Sequence, residues 1–191
     1  MNSTIKGAVT KRVESIALDT IAPKETAARS SVLTKVAEEI KTELGERWIP
    51  RIYRERIMQM RTRAHHLNVQ TVKVSVEIQH TLLGVELKIG RQRLMCPDLS
   101  TARYLAVFAR AGSVDVAVPY DISRISSLAD ELESSWHRML LLVENAAETR
   151  SAAFRSRLRN LLVQEIRREI LEAGAGTAIP QFNQNTKQRR T

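Results

Sequence analysis

Residues 122–173 run for about 52 positions without a glycine or a proline, and their apolar residues keep helical spacing throughout. Ile125, Ala129, Leu132, Trp136, Met139, Val143 and Ala146 step by alternating fours and threes. The stripe falters at Arg150 and Arg157, then resumes in a shifted phase at Leu158, Leu162, Ile166 and Ile170. One unbroken helix would be about 78 Å long, whereas a domain of this size is roughly 35–45 Å across. The segment therefore either breaks near 147–151 and folds back, or projects and pairs with another chain. The missing breakers favour projection or a gentle kink. The expectation is self-association through 122–173, in the manner of a coiled coil.

Ahead of this segment the pattern changes character. A helix is expected over 31–44, where Val32, Val36, Ile40 and Leu44 recur and Gly45 stops it. A second is expected over 50–67, with Pro50 in its first turn and Ile49, Ile52, Tyr53, Ile57, Met60, Ala64 and Leu67 on its apolar side. Val72, Val74, Val76 and Ile78 then alternate with polar residues. After a turn at 81–84, Val85, Leu87 and Ile89 do the same. That period of two predicts an antiparallel hairpin with one buried face. Gly90 reads as a bulge, because Arg91 and Arg93 follow out of phase. Asp98 caps a helix over 99–111, Gly112 ends it, and Val114, Val116 and Val118 make a short strand.

The predicted fold is α+β and predominantly helical, a small sheet of one hairpin plus one short strand packed by helices. The expected division is a weakly ordered segment 1–29, an α+β core 30–121, the long helix 122–173, and a disordered basic tail 174–191 ending in Lys187, Arg189 and Arg190. The only cysteine, Cys96, allows neither an intrachain disulfide nor a cysteine-based zinc site. The first thirty residues hold no apolar signal segment, and no apolar run is long enough to span a membrane. A cytoplasmic location is the expectation.

Charge gives the functional lead. The chain carries +9, and 22 of its 30 basic residues are arginine, which grips phosphate with two parallel bonds and stacks on bases. Residues 1–46 are neutral, 47–110 carry +8, 111–149 carry −5 and 150–191 carry +6. On the expected 50–67 helix, Arg47, Arg51, Arg54, Arg61 and His65 fall within roughly 80° of one another. Arg63, Arg91 and Arg93 extend that basic block, and Arg150, Arg155, Arg157 and Arg159 form a second. These arginines are the candidate nucleic-acid contacts of a non-catalytic homo-oligomer or assembly subunit. The alternative is a structural or adaptor protein that pairs through its long helix and sets its basic face against an acidic protein.

A second chemistry is written on the hairpin. Glu86 and Lys88 share its polar face, and Glu77 reaches that face from the partner strand. In element order and in the Glu86-Leu87-Lys88 tripeptide, residues 47–120 resemble the PD-(D/E)xK nuclease superfamily. The resemblance implies that Glu86 and Lys88 match the E-x-K, that Glu77 stands for the preceding acid, and that Glu55 matches the helix-borne one. It implies magnesium on Glu77 and Glu86, activating a water against a phosphodiester. Position 77 is Glu where the family has Asp, and Pro97-Asp98 follows the E-x-K instead of preceding it. The same residues also form a plain cross-strand salt-bridge pattern, Lys73 and Glu77 against Glu86 and Lys88. Without that resemblance no cofactor is expected.

Overall fold

The computed structural model describes residues 23–67, 69 and 75–176. The expectations for residues 1–22, for 71–74 of the first hairpin strand and for the 177–191 tail lie outside the described residues. Helix α1 spans Pro23–Leu44 and so begins before the expected boundary at residue 30. A 3-10 turn at Gly45–Arg47 leads into α2, Ile49–Ile52, and a π turn, Tyr53–Ile57, continues it. The strands are β1 Thr62–His66, β2 Val76–Thr81, β3 Gly84–Ile89 and β4 Gln92–Cys96. Helix α3, Leu99–Arg110, follows, then β5 Asp115–Pro119, α4 Ile122–Ala146 and α5 Ala152–Ala173. The class is α+β and mostly helical, as the patterns predict.

The hairpin forms with Val76 opposite Ile89 and Thr81 opposite Gly84. Leu87 and Ile89 are buried, as their alternation requires. Gly90 is not a bulge. It sits at φ 60 in a turn, and the chain reverses into β4, which pairs with β3 to complete a three-stranded meander. The phase shift at Arg91 and Arg93 marks this second reversal. In β4 the faces alternate, with Arg93 and Met95 exposed and Cys96 buried.

The expected helix 50–67 is half helix. Ile49, Ile52, Tyr53 and Ile57 form its buried side. The bond from the Met58 amide to the Tyr53 carbonyl at 2.9 Å is a five-residue step that widens the last turn. The chain then turns at 58–61 and becomes β1, antiparallel to β5. The reason is tertiary. The strand Val116, Ala117 and Val118 is fully buried, while Ala64 and Leu67, three apart, keep helical spacing. Pairing with β5 overrides that spacing.

The long C-terminal segment folds back. Ala147 ends α4, and the Ser151 hydroxyl accepts from the Phe154 amide at 3.3 Å to start α5. Helix α5 returns over α1, α2 and the π turn. The stripe that the sequence offers to a partner is spent inside the chain. Ile125, Leu132, Trp136, Met139, Leu158, Leu162, Ile166 and Ile170 are all at most 3% exposed and belong to the same core as α1, α3 and β5. Each such side chain contributes about 1.5–3 kcal/mol of burial, more than an exposed projecting helix would gain. No described helix is long and apolar enough to cross a membrane.

Candidate nucleic-acid interface

The first consequence of the β1 and β5 pairing is a meeting of their ends. Thr62 stands opposite Pro119, so Arg61 and Tyr120 lie side by side, and the Tyr120 amide donates to the Arg61 carbonyl at 3.1 Å. The Arg61 guanidinium lies 5.0 Å from the Tyr120 ring centroid, and that of Arg63 lies 6.0 Å from it. Both are within cation–π range. Neither arginine has an ion-pair partner among the described residues, and the half-buried Arg63 Nε has no hydrogen-bond partner. Tyr120 is 42% exposed, and it is the one Phe, Tyr or Trp among the described residues with so much surface in solvent.

These residues stand at a cleft of about 880 Å³ between the π turn, the 58–61 loop and the first turns of α4. Arg56, Met60, Arg61, Tyr120, Arg124 and Leu128 are among the residues lining it. Arg56 is borne on the π turn and pairs with Glu131 at 2.8 Å. Arg124 has only a long contact to Asp121, 3.9 Å. Asp121 itself caps α4, accepting from the Ser123 hydroxyl at 2.6 Å and the Ser123 amide at 3.0 Å. The side-chain bond first, then the amide, holds its carboxyl below the usual range. The positive end of the α4 dipole is therefore already met by a carboxylate. Asp121 and Glu131 also line the cleft, so its positive charge without an ion-pair partner comes from Arg61, with Arg63 beside it at the Tyr120 ring and Arg124 held only by the long contact to Asp121.

The expected basic stripe does not assemble as one face. Arg51 is held by Glu55 at 2.8 Å and Arg54 by Glu169 at 2.8 Å. Arg47 is exposed on the 3-10 turn, and Arg61 lies beyond the helix altogether. Arg93 approaches Glu86 at 3.7 Å, while Arg91 is exposed at the β3 to β4 turn. In the second block, Arg155 pairs with Glu144 at 2.8 Å and Arg150 stacks on Phe154 at 4.6 Å. Arg157 and Arg159 are exposed on α5. Sequence reasoning misses Tyr120, Arg124 and Arg56 as site residues. The signal that finds Tyr120 is its position opposite Arg61, which appears only once β1 is known to be a strand.

The carboxylates of the expected nuclease set have cationic neighbours: Lys88 for Glu77, Arg93 for Glu86 and Arg51 for Glu55. Glu77 faces Lys88 across the hairpin, with Lys88 Nζ 3.4 Å from its carboxylate. Glu86 stands opposite Gln79, and Glu55 is bonded to Arg51 on the π turn. Among the described residues no three His, Cys, Asp or Glu side chains are grouped to hold a metal ion. His66 is paired with Asp115 at 2.8 Å. The burial of His65 and its neighbours Arg63 and His66 favours the neutral ring. Of the expected cross-strand salt-bridge pattern, Glu77 with Lys88 forms, Glu86 approaches Arg93 on β4 instead, and Lys73 lies outside the described residues. Comparison with family models, with curated proteins and with solved structures gives no match.

Proposed function

We propose that this protein binds nucleic acid, with phosphate contacts centred on Arg61, Arg63 and Arg124. The observation that carries the reading is the meeting of Arg61 and Arg63, neither with an ion-pair partner among the described residues, at the Tyr120 ring, beside a concave surface that Arg61 and Arg124 line. Elsewhere Arg51, Arg54, Arg103, Arg138, Arg155 and Arg168 are neutralised by ion pairs of 3.0 Å or less. A guanidinium left free of carboxylates keeps its fork of donors for phosphate. Arg47, Arg91, Arg157 and Arg159 supply further positive surface around the molecule, which supports attraction at a distance.

The test is binding of labelled DNA and RNA across a salt series. Replacing Arg61, Arg63 and Arg124 together with Gln is expected to weaken binding and to reduce the log-affinity against log-salt slope by about 2–3 units, since each phosphate contact contributes about 0.7–0.9. Arg51→Gln, at an ion-paired position, is expected to leave the slope unchanged. A triple variant with the parent's slope, or a parent that ignores nucleic acid at low salt, overturns the assignment. The second outcome turns the basic surface toward an acidic protein partner.

A further inference from the structure

We propose that the cleft takes single-stranded nucleic acid, with an unpaired base laid against Tyr120 and its flanking phosphates on Arg61 and Arg124. The proposal rests on nucleic-acid binding at this cleft and specifies the strand state. Three observations point to it. The most exposed Phe, Tyr or Trp ring of the described residues sits where the unpaired Arg61 and Arg63 meet. A ring so placed costs solvation that a lone phosphate site has no use for, and it offers what every unpaired base seeks, a π face.

The second observation is shape. The cleft is concave, about 880 Å³, and walled by Met60 and Leu128 as well as by Arg56, Arg61 and Arg124, while its two carboxylates, Asp121 and Glu131, are engaged by Ser123 and by Arg56. Apolar walls beside cationic ones suit a nucleotide, which carries a planar apolar ring and a charged phosphate together. A duplex presents a convex surface, and its bases are stacked and paired, so their faces stay out of reach. The third is preorganisation. The Tyr120 amide is tied to the Arg61 carbonyl, so the backbones that carry the ring and the first cation are fixed to each other at the paired ends of β1 and β5.

The experiment uses the full chain and fluorescence anisotropy with oligothymidylate, an abasic oligomer of equal length and charge, a duplex of equal length, and a thymidine mononucleotide. The parent is expected to bind oligothymidylate roughly five- to a hundredfold more tightly than the abasic oligomer, the range that one stacked base supplies. It is expected to prefer oligothymidylate to the duplex as well. Tyr120→Leu is expected to abolish the advantage over the abasic oligomer, and Tyr120→Phe, which keeps the ring, to retain it. Both variants are expected to melt with the parent, because the side chain is exposed. Equal binding of single strand, duplex and abasic oligomer, still dependent on Arg61, overturns this proposal while leaving nucleic-acid binding intact. A mononucleotide that binds as tightly as the oligomer also overturns it. No binding of any of these ligands removes the underlying reading itself.

Discussion

The Tyr53 hydroxyl accepts a hydrogen bond from the Ala117 amide at 2.8 Å and thereby closes the outer edge of β5. Strand β1 covers the other edge. The Ala117 carbonyl is met from the same outer side by the Tyr104 hydroxyl. Tyr53 then donates to the Gly174 carbonyl at 2.7 Å, tying the end of α5 to the same strand. Both rings pack on Phe108, with centroids 5.5 and 5.1 Å away. A buried strand edge would otherwise carry unsatisfied amides and carbonyls. Here two tyrosines stand where a further strand would pair.

Tyr53→Phe keeps the ring and removes both bonds. The Ala117 amide and the Gly174 carbonyl lose their partner, so a loss of about 1–3 kcal/mol is expected. Urea unfolding checks it. The midpoint should fall while the slope stays constant, because the surface exposed on unfolding does not change. An unchanged midpoint would mean that water replaces the hydroxyl at no cost.

The same hydroxyl gives the fold an alkaline limit. Burial raises the Tyr53 pKa to about 12 and pushes that of Tyr104 well above its ordinary value near 10. A tyrosine is neutral when protonated, and the unfolded chain releases this proton first as pH rises. The stability from keeping Tyr53 neutral is therefore fully present below about pH 10 and is lost as pH climbs through about 12. Unfolding temperature followed from pH 9 to 12 should fall, and more steeply in the parent than in Tyr53→Phe. Equal slopes would show that Tyr53 does not carry the effect.

Glu169 holds Arg54 in an ion pair, whereas Arg61 has none among the described residues. Its nearly buried carboxylate accepts from Trp48 Nε1 at 3.1 Å and Arg54 Nη2 at 2.8 Å, with Lys41 Nζ at 3.5 Å. These contacts pin α5 to α1 and to the π turn. Removing the carboxylate strands a buried indole N–H and leaves two cations facing each other. Glu169→Ala is expected to cost about 2 kcal/mol or more. Arg54→Gln should likewise lower the melting temperature and leave the salt slope of nucleic-acid binding unchanged. Arg61→Gln should do the reverse. A fall in the salt slope in Arg54→Gln without a change in melting would put that arginine back on the binding surface.

What could be read from the sequence divides by the range of the interaction that decides it. The β2 and β3 hairpin is local, with period-two alternation and a short turn, and it forms in the expected register. Helix α3 is also local, with Asp98 accepting from the Thr101 amide at 2.7 Å and Gly112 at positive φ beyond its end. The shift of stripe phase near residue 150 marks the place where α4 ends and α5 begins. Strand β1 is different. Thr62, Arg63, Ala64, His65 and His66 have no alternation of their own, and they become a strand because β5, about fifty residues on, needs a partner. The site inherits that difficulty. Arg61 could be named as a basic residue, but Tyr120 closes a valine-rich strand and gives no sign of the guanidinium it meets. The ion pairs that withdraw Arg54 and Arg155 are likewise made by residues from other elements.

The fold-back of α5 changes what the α4 stripe is for, and the change can be measured. On a projecting helix, Trp136 would lie in an interface, and its removal would dissociate the protein. In this structure Trp136 is 3% exposed and Met139 1%, within the core shared by α1, α3 and α5. Trp136→Ala should therefore leave a large cavity and cost about 3–5 kcal/mol, a sizeable part of the roughly 5–15 kcal/mol available to a domain. The expected result is a large drop in melting temperature with no change in the mass of the folded species. Light scattering and thermal melting on the same samples read both quantities. A variant that lost mass and kept its melting temperature would move the stripe back into an interface between chains, with α5 swung away from α4. Met139→Ala, expected to cost about 2–5 kcal/mol, repeats the test one turn further along should the tryptophan variant fail to fold.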